Sequence, residues 1–173
     1  MTSLTTEIEN TALTRRIRLL LVLFIIGLVA SGLTAIPLEW EVGLLRRWIS
    51  GPPVLVEWIA RVYEGLQVSY GQYPFLAYGT DWLAFAHLVI AVAFIGPLRD
   101  PVRNVWVIDF GIIACLLVFP LALIMGPLRG IPFYWQLIDC SFGVAGLIPL
   151  CWVRLLINRL ESQGSRLPQE SRQ

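Results

Sequence analysis

Twenty consecutive residues, Leu19 to Leu38, carry no charge. A bilayer hydrocarbon core about 30 Å thick is crossed by about 20 apolar residues in a helix, so this run can span one. Three further segments come close to that standard, at about 82–98, 105–125 and 133–157. Backbone amides in hydrocarbon find no water to bond, which leaves helices or closed barrels as spanning forms. The alternating polarity of barrel strands is missing from all four segments. The sequence therefore predicts an all-α integral membrane protein with four transmembrane helices and an outer cap of interfacial helices over 39–81. Residues 1–18 are expected to form a cytoplasmic N-terminal segment, 19–160 a single transmembrane domain, and 161–173 a flexible cytoplasmic tail.

Composition excludes several alternatives. Apolar residues make up 57% of the 173, charged residues only 14%, and mean hydropathy is +0.71. A soluble domain carries about 25% charge, and a disordered chain is poorer still in apolar groups. A nucleic-acid surface needs a basic stripe, which 13 arginines nearly cancelled by 12 acids do not provide. Arg15, Arg16 and Arg18 ahead of the first run suggest the start of a secretion signal. Fourteen residues precede them, however, and the run exceeds a usual signal core, so a retained span is expected.

Arginine placement orients the helices. With the N-terminus inside, nine arginines fall on the cytoplasmic side and four (Arg46, Arg47, Arg61 and Arg129) on the outer side. Both termini are thus expected in the cytoplasm, in a membrane of the bacterial inner type, with 39–81 facing outward. Pro52 and Pro53 open a helical pattern in that stretch, with Val54, Leu55, Trp58, Ile59, Val62 and Leu66 on one face. Glu57 and Arg61 form an i,i+4 pair on the other. Trp40, Leu44, Leu45 and Trp48 predict a shorter helix before it. Ten of the twelve tryptophans and tyrosines fall on the outer side. Interfacial anchoring is the plainer reading of that belt, and a partner or headgroup surface the sharper one.

Few residues are fit for chemistry. His87, the single histidine, has Ala84 and Ala91 on its helical face. It lies six residues past Asp81. At a helical rise of about 1.5 Å per residue, that is about 9 Å below the outer boundary. Asp139 is six residues past Phe133 on a helix entering from the same side, with Gln136, Gly143 and Gly146 on its face. Matching depth makes His87 and Asp139 a candidate intramembrane polar pair. Ionisable groups within a membrane are functional hypotheses by default, and a structural hydrogen bond is the alternative. Asp109 and Arg154 form a second candidate, read as a structural ion pair or a snorkelling arginine.

Gly-Pro-Leu-Arg occurs at 96–99 and again at 126–129, on opposite membrane faces, and reads as helix-stop chemistry. Gly27, Ser31 and Ala35 predict a small-residue contact ridge on the first span. Cys115, Cys140 and Cys151 lie within spans and form no C-x-x-C pair, as expected of small apolar packers. Two histidines usually hold a haem in a bundle. With one, a haem would need a second copy or Met125 as the other ligand. No catalytic set, cofactor or metal is therefore expected.

Three functional classes follow. The first is a non-enzymatic subunit or accessory of a membrane complex, whose partners are the bilayer and a membrane protein reached through the aromatic cap. The second is a small transporter or proton-coupled channel using His87 and Asp139. The third is a membrane enzyme or a haem- or quinone-binding subunit. A transporter is expected to show broken helices around a midplane site, whereas this pair lies nearer the outer surface.

Overall fold

The computed structural model describes residues 2–164, with side chains over 9–163. All its elements are helical, with no strand among the described residues. They are α1 (Thr2–Ala35), α2 (Leu38–Trp48), α3 (Pro53–Gln72), a 3-10 turn (Pro74–Ala77), α4 (Tyr78–Ala93), α5 (Ile95–Arg99), α6 (Val105–Leu128) and α7 (Phe133–Gly164). Four helical stretches are long and apolar enough to cross a membrane, namely Glu9–Ala35, Pro74–Arg99, Val105–Leu128 and Phe133–Gln163. The chain divides into two compact units, Met1–Ile25 with Val92–Gln173, and Ile26–Ala91.

The core of the first unit contains Ile17, Leu21, Phe94, Ile108, Leu150, Val153 and Ile157, all fully buried. Leu13, Ile17 and Leu21 follow one another at i+4 and share a stripe of α1. The residues set apart as a segment ahead of the first span thus continue its helix, and Leu13 and Ile17 belong to the core. Helices α6 and α7 pack through glycines. A Cβ at Gly143 would lie 2.9 Å from the Cys115 carbonyl oxygen, and one at Gly111 would lie 2.8 Å from the Leu150 Cδ1. Lacking side chains there, the backbones approach as small-residue interfaces allow. Both helices run unbroken through their internal prolines, Pro120 and Pro149.

The two Gly-Pro-Leu-Arg copies differ in structure. The first forms most of α5, whose final carbonyls are met by the Asn104 amide, 3.2 Å from the Gly96 oxygen and 2.9 Å from that of Asp100. The second lies within the end of α6. The stop itself is Gly130, at φ +69°, where Ile131 N–H donates to the Gly126 carbonyl at 2.9 Å and Gly130 N–H to that of Pro127 at 3.1 Å. That is a Schellman cap, with glycine in the left-handed position only it adopts cheaply. Gln136 is buried against Gly126 and donates to the Ile131 carbonyl at 2.8 Å, closing the α6–α7 turn. Cys140 is buried and Cys115 half-buried, but Cys151 faces outward from α7.

In the second unit the first span ends at Ala35, three residues earlier than expected, because Pro37 lacks the N–H needed to continue the helix. Gly32, not Gly27, makes the close approach. A Cβ at Gly32 would lie 3.0 Å from the Ala84 carbonyl and 3.1 Å from the His87 Cβ, while Gly27 meets open space. Helix α2 has 11 residues. So short a helix is marginal on propensity alone. Glu39 and Glu41 in its first turn and Arg46 and Arg47 in its last complement the helix dipole. Pro53 sits at the first position of α3, where its missing N–H costs nothing. From α3 the 3-10 turn leads directly into α4, which starts at Tyr78 and precedes the expected boundary by a turn. Within 161–173, residues 161–164 continue α7, and 165–173 lie outside the described residues.

Candidate functional site

An open cleft of about 420 Å³ lies in the unit of Ile26–Ala91. Successive turns of α2 supply Glu39, Trp40, Gly43 and Arg47 on one side. Tyr63 and Tyr70, seven residues apart on α3, supply the other. Gly43 explains the closeness of the two helices, since a Cβ there would lie 2.8 Å from the Tyr63 ring. The Arg46 guanidinium stacks over that same ring, 5.2 Å from its centroid, in cation–π geometry.

Hydrogen bonding decides what the two phenols offer. Gln67 Nε2 donates to the Tyr63 hydroxyl at 2.9 Å. The phenolic proton of Tyr63 is left free to be donated. The Thr80 hydroxyl donates to the Ala77 carbonyl at 2.7 Å, so in its 3.5 Å contact with Tyr70 the phenol is the donor. The Tyr70 oxygen therefore keeps its lone pairs. In the cleft, Arg47 and Tyr63 act as donors, and Glu39 and Tyr70 as acceptors.

A second concavity, of about 290 Å³, is formed by Tyr78, Asp81, Trp82 and Phe85 at the start of α4. Its ring centroids stand 5.9 Å apart from Tyr78 to Trp82 and 5.6 Å apart from Trp82 to Phe85. Both contacts are edge-to-face, the arrangement that aromatic quadrupoles favour.

The sequence-derived candidates fall in different places. The Nδ1 of His87 lies 2.8 Å from the Leu83 carbonyl one turn back. Because a carbonyl only accepts, Nδ1 is the donor in this bond. His87 belongs to the unit of Ile26–Ala91 and Asp139 to the other. Asp139 is half-buried on α7, beside buried Cys140. Asp109 and Arg154 do come together, with Arg154 Nε donating to Asp109 Oδ1 at 2.9 Å. Nη1 of the same guanidinium donates to Asn158 Oδ1, making a three-residue network between α6 and α7.

Sequence reasoning missed Asn158, although it stands one turn from Arg154. It also missed the α2–α3 cleft. The signal for the cleft was available: Trp40, Gly43 and Arg47 recur at the spacing of one helical face, with Tyr63 and Tyr70 seven residues apart on the next helix. Comparison with known proteins returns no matching family model, no matching curated protein and no matching solved structure.

Proposed function

We propose that this chain is an integral membrane protein that serves, without enzymatic chemistry of its own, as a subunit or accessory of a membrane complex and meets its partner through the aromatic cap. The observation that carries the membrane reading is the outward face of α6. Leu117, Leu121, Ile124 and Leu128 succeed one another on it and are all exposed, Leu121 at 63%. Soluble monomers rarely leave contiguous apolar patches of more than a few hundred Å² uncovered, and a lipid environment removes the conflict. On this reading the start of α1 and the end of α7 are cytoplasmic, and α2 and α3 lie in the outer headgroup layer.

Support for a partner surface comes from what the cap leaves open. Trp40, Trp48, Phe75, Tyr78 and Trp82 are all exposed, Trp48 at 78%. Aromatic side chains bring large contact area at low entropic cost and are enriched at the centres of interfaces.

Two measurements test this reading. A reporter fused after Gln173 should be active only in the cytoplasm, and one inserted near Gly71 only outside; reversed activities overturn the orientation. In native membranes gently solubilised, the 19.5 kDa chain should migrate in a larger assembly. Trp48→Ser together with Trp82→Ser should release it as the free chain with helicity unchanged. Migration as the free chain before any substitution would remove the subunit reading.

A further inference from the structure

We propose that the cleft between α2 and α3 holds the headgroup of a zwitterionic phospholipid, its phosphate at Arg47 and Tyr63 and its ammonium at Glu39, Tyr70 and the face of Trp40. The proposal rests on the reading that the cap lies in a headgroup layer, and it names what that layer supplies to the site.

Charge placement along α2 points to a ligand of both signs. Glu39 and Arg47 line one cleft from opposite ends of the helix, eight residues apart. Along the helix axis that is about 12 Å. A ligand that carries both signs complements the two ends at once. A phosphate beside the C-terminal end of a helix meets a dipole of about half a negative charge, which the two full charges of Arg46 and Arg47 outweigh. The supply of donors and acceptors points the same way. A phosphate accepts only, and finds the Arg47 guanidinium and the free phenolic proton of Tyr63. A primary ammonium donates only, and finds the Glu39 carboxylate and the lone pairs of Tyr70. The ring of Trp40 lines the cleft too, adding the aromatic face that cations favour.

Size and wall composition fit the same ligand. The cleft measures about 420 Å³, and Ile36 and Leu44 give it apolar wall for the glycerol end of a lipid. That volume falls within the usual range for small-ligand sites. Phosphatidylglycerol carries the same phosphate for Arg47 but only neutral hydroxyls in place of the ammonium, so it offers the Glu39 carboxylate no opposite charge. Inorganic phosphate would leave Glu39 and Tyr70 unused.

The test uses the full chain in detergent, titrated with short-chain phosphatidylethanolamine or phosphatidylglycerol, with bound lipid counted by native mass spectrometry. The parent should bind phosphatidylethanolamine at least about tenfold more tightly than phosphatidylglycerol, and millimolar inorganic phosphate should not displace it. Arg47→Gln should weaken binding of both lipids by about tenfold or more, the effect of losing one charge-assisted hydrogen bond. Glu39→Gln should weaken only phosphatidylethanolamine and so erase the selectivity. Arg61→Gln, which removes the same charge from α3 outside the cleft, should change neither. If Arg47→Gln loses helicity, Tyr63→Phe removes a single hydroxyl and should still weaken phosphatidylethanolamine severalfold.

Equal binding of the two lipids by the parent, undiminished binding by Arg47→Gln or Tyr63→Phe, or displacement by phosphate would each overturn the assignment. Reversed topology reporters with selective binding intact would move the site to the inner leaflet and refute the orientation alone. Correct topology without lipid selectivity would refute the cleft alone.

Discussion

Gly143→Leu should lower the stability of the purified protein by about 1–3 kcal/mol. A Cβ at this position would stand 2.9 Å from the Cys115 carbonyl oxygen and 3.3 Å from the Val118 Cβ. Both obstacles are rigid, one belonging to the backbone of α6 and the other to its first side-chain atom. The helices must therefore separate, and overpacking of this kind costs about 1–3 kcal/mol, with leucine at the upper end. Gly146→Ala is the instructive contrast. Its Cβ would lie closer to an obstacle, 2.6 Å from the Cys115 sulfur. That thiol, however, can turn to another rotamer. Its cost should be smaller despite the shorter distance. Gly27 faces open space, so Gly27→Leu should instead gain up to about 1 kcal/mol of helix propensity. Denaturant-induced loss of helicity in detergent ranks the three. Gly143→Leu matching the parent would mean that the packing of α6 on α7 is not as described.

Those positions also show how far the residues alone could be read. Long, mostly apolar runs marked four helices because the distance across a bilayer is a matter of chain length and hydropathy, both local. The cap helices were legible too, since Pro53 and the i,i+4 face of α3 are local signals. Contact partners were not. Gly27, Ser31 and Ala35 form as regular a small-residue ridge as any, yet the close approach in that helix is made by Gly32. Spacing tells which residues share a face but not which face meets another helix. The α2–α3 cleft was half legible for the same reason, since the spacing of Trp40, Gly43 and Arg47 marks a face but not the helix that meets it. Element boundaries moved for a different reason. Residues 1–18 read as a segment ahead of the first span, yet Leu13 and Ile17 supply a stripe that continues the helix and enters the core. For His87 the small-residue face was readable from spacing, and Ala84 and Ala91 are both buried. The bond to the Leu83 carbonyl, which fixes the proton on Nδ1, depends on a rotamer and leaves no mark in the sequence.

Arg154→Ala should be costly on its own and much less so beside Asp109→Asn. The guanidinium holds Asp109 Oδ1 at 2.9 Å and the Asn158 amide oxygen, with side-chain exposures of 33% for Arg154 and 47% for Asp109. In water a pair this exposed would contribute at most about 1 kcal/mol, screened by salt. In the proposed membrane setting the exposed part faces lipid or headgroups. An unpaired aspartate at the centre of a span costs about 2.5–3.5 kcal/mol, and less towards the end of a helix. Removing the arginine strands that carboxylate, so a loss of about 2 kcal/mol is expected. Asp109→Asn should cost less, because the freed arginine has a long stem and can carry its charge to the interface. In the double variant no charge is stranded, so much of the loss returns, leaving a coupling of about 1 kcal/mol between the two sites. Unfolding the four proteins of this cycle in detergent, at low and at high salt, measures that coupling and locates the pair. Coupling that persists at high salt places it away from water, whereas coupling that vanishes makes it an aqueous surface pair. Strict additivity at both would show that Asp109 and Arg154 are neighbours without being partners.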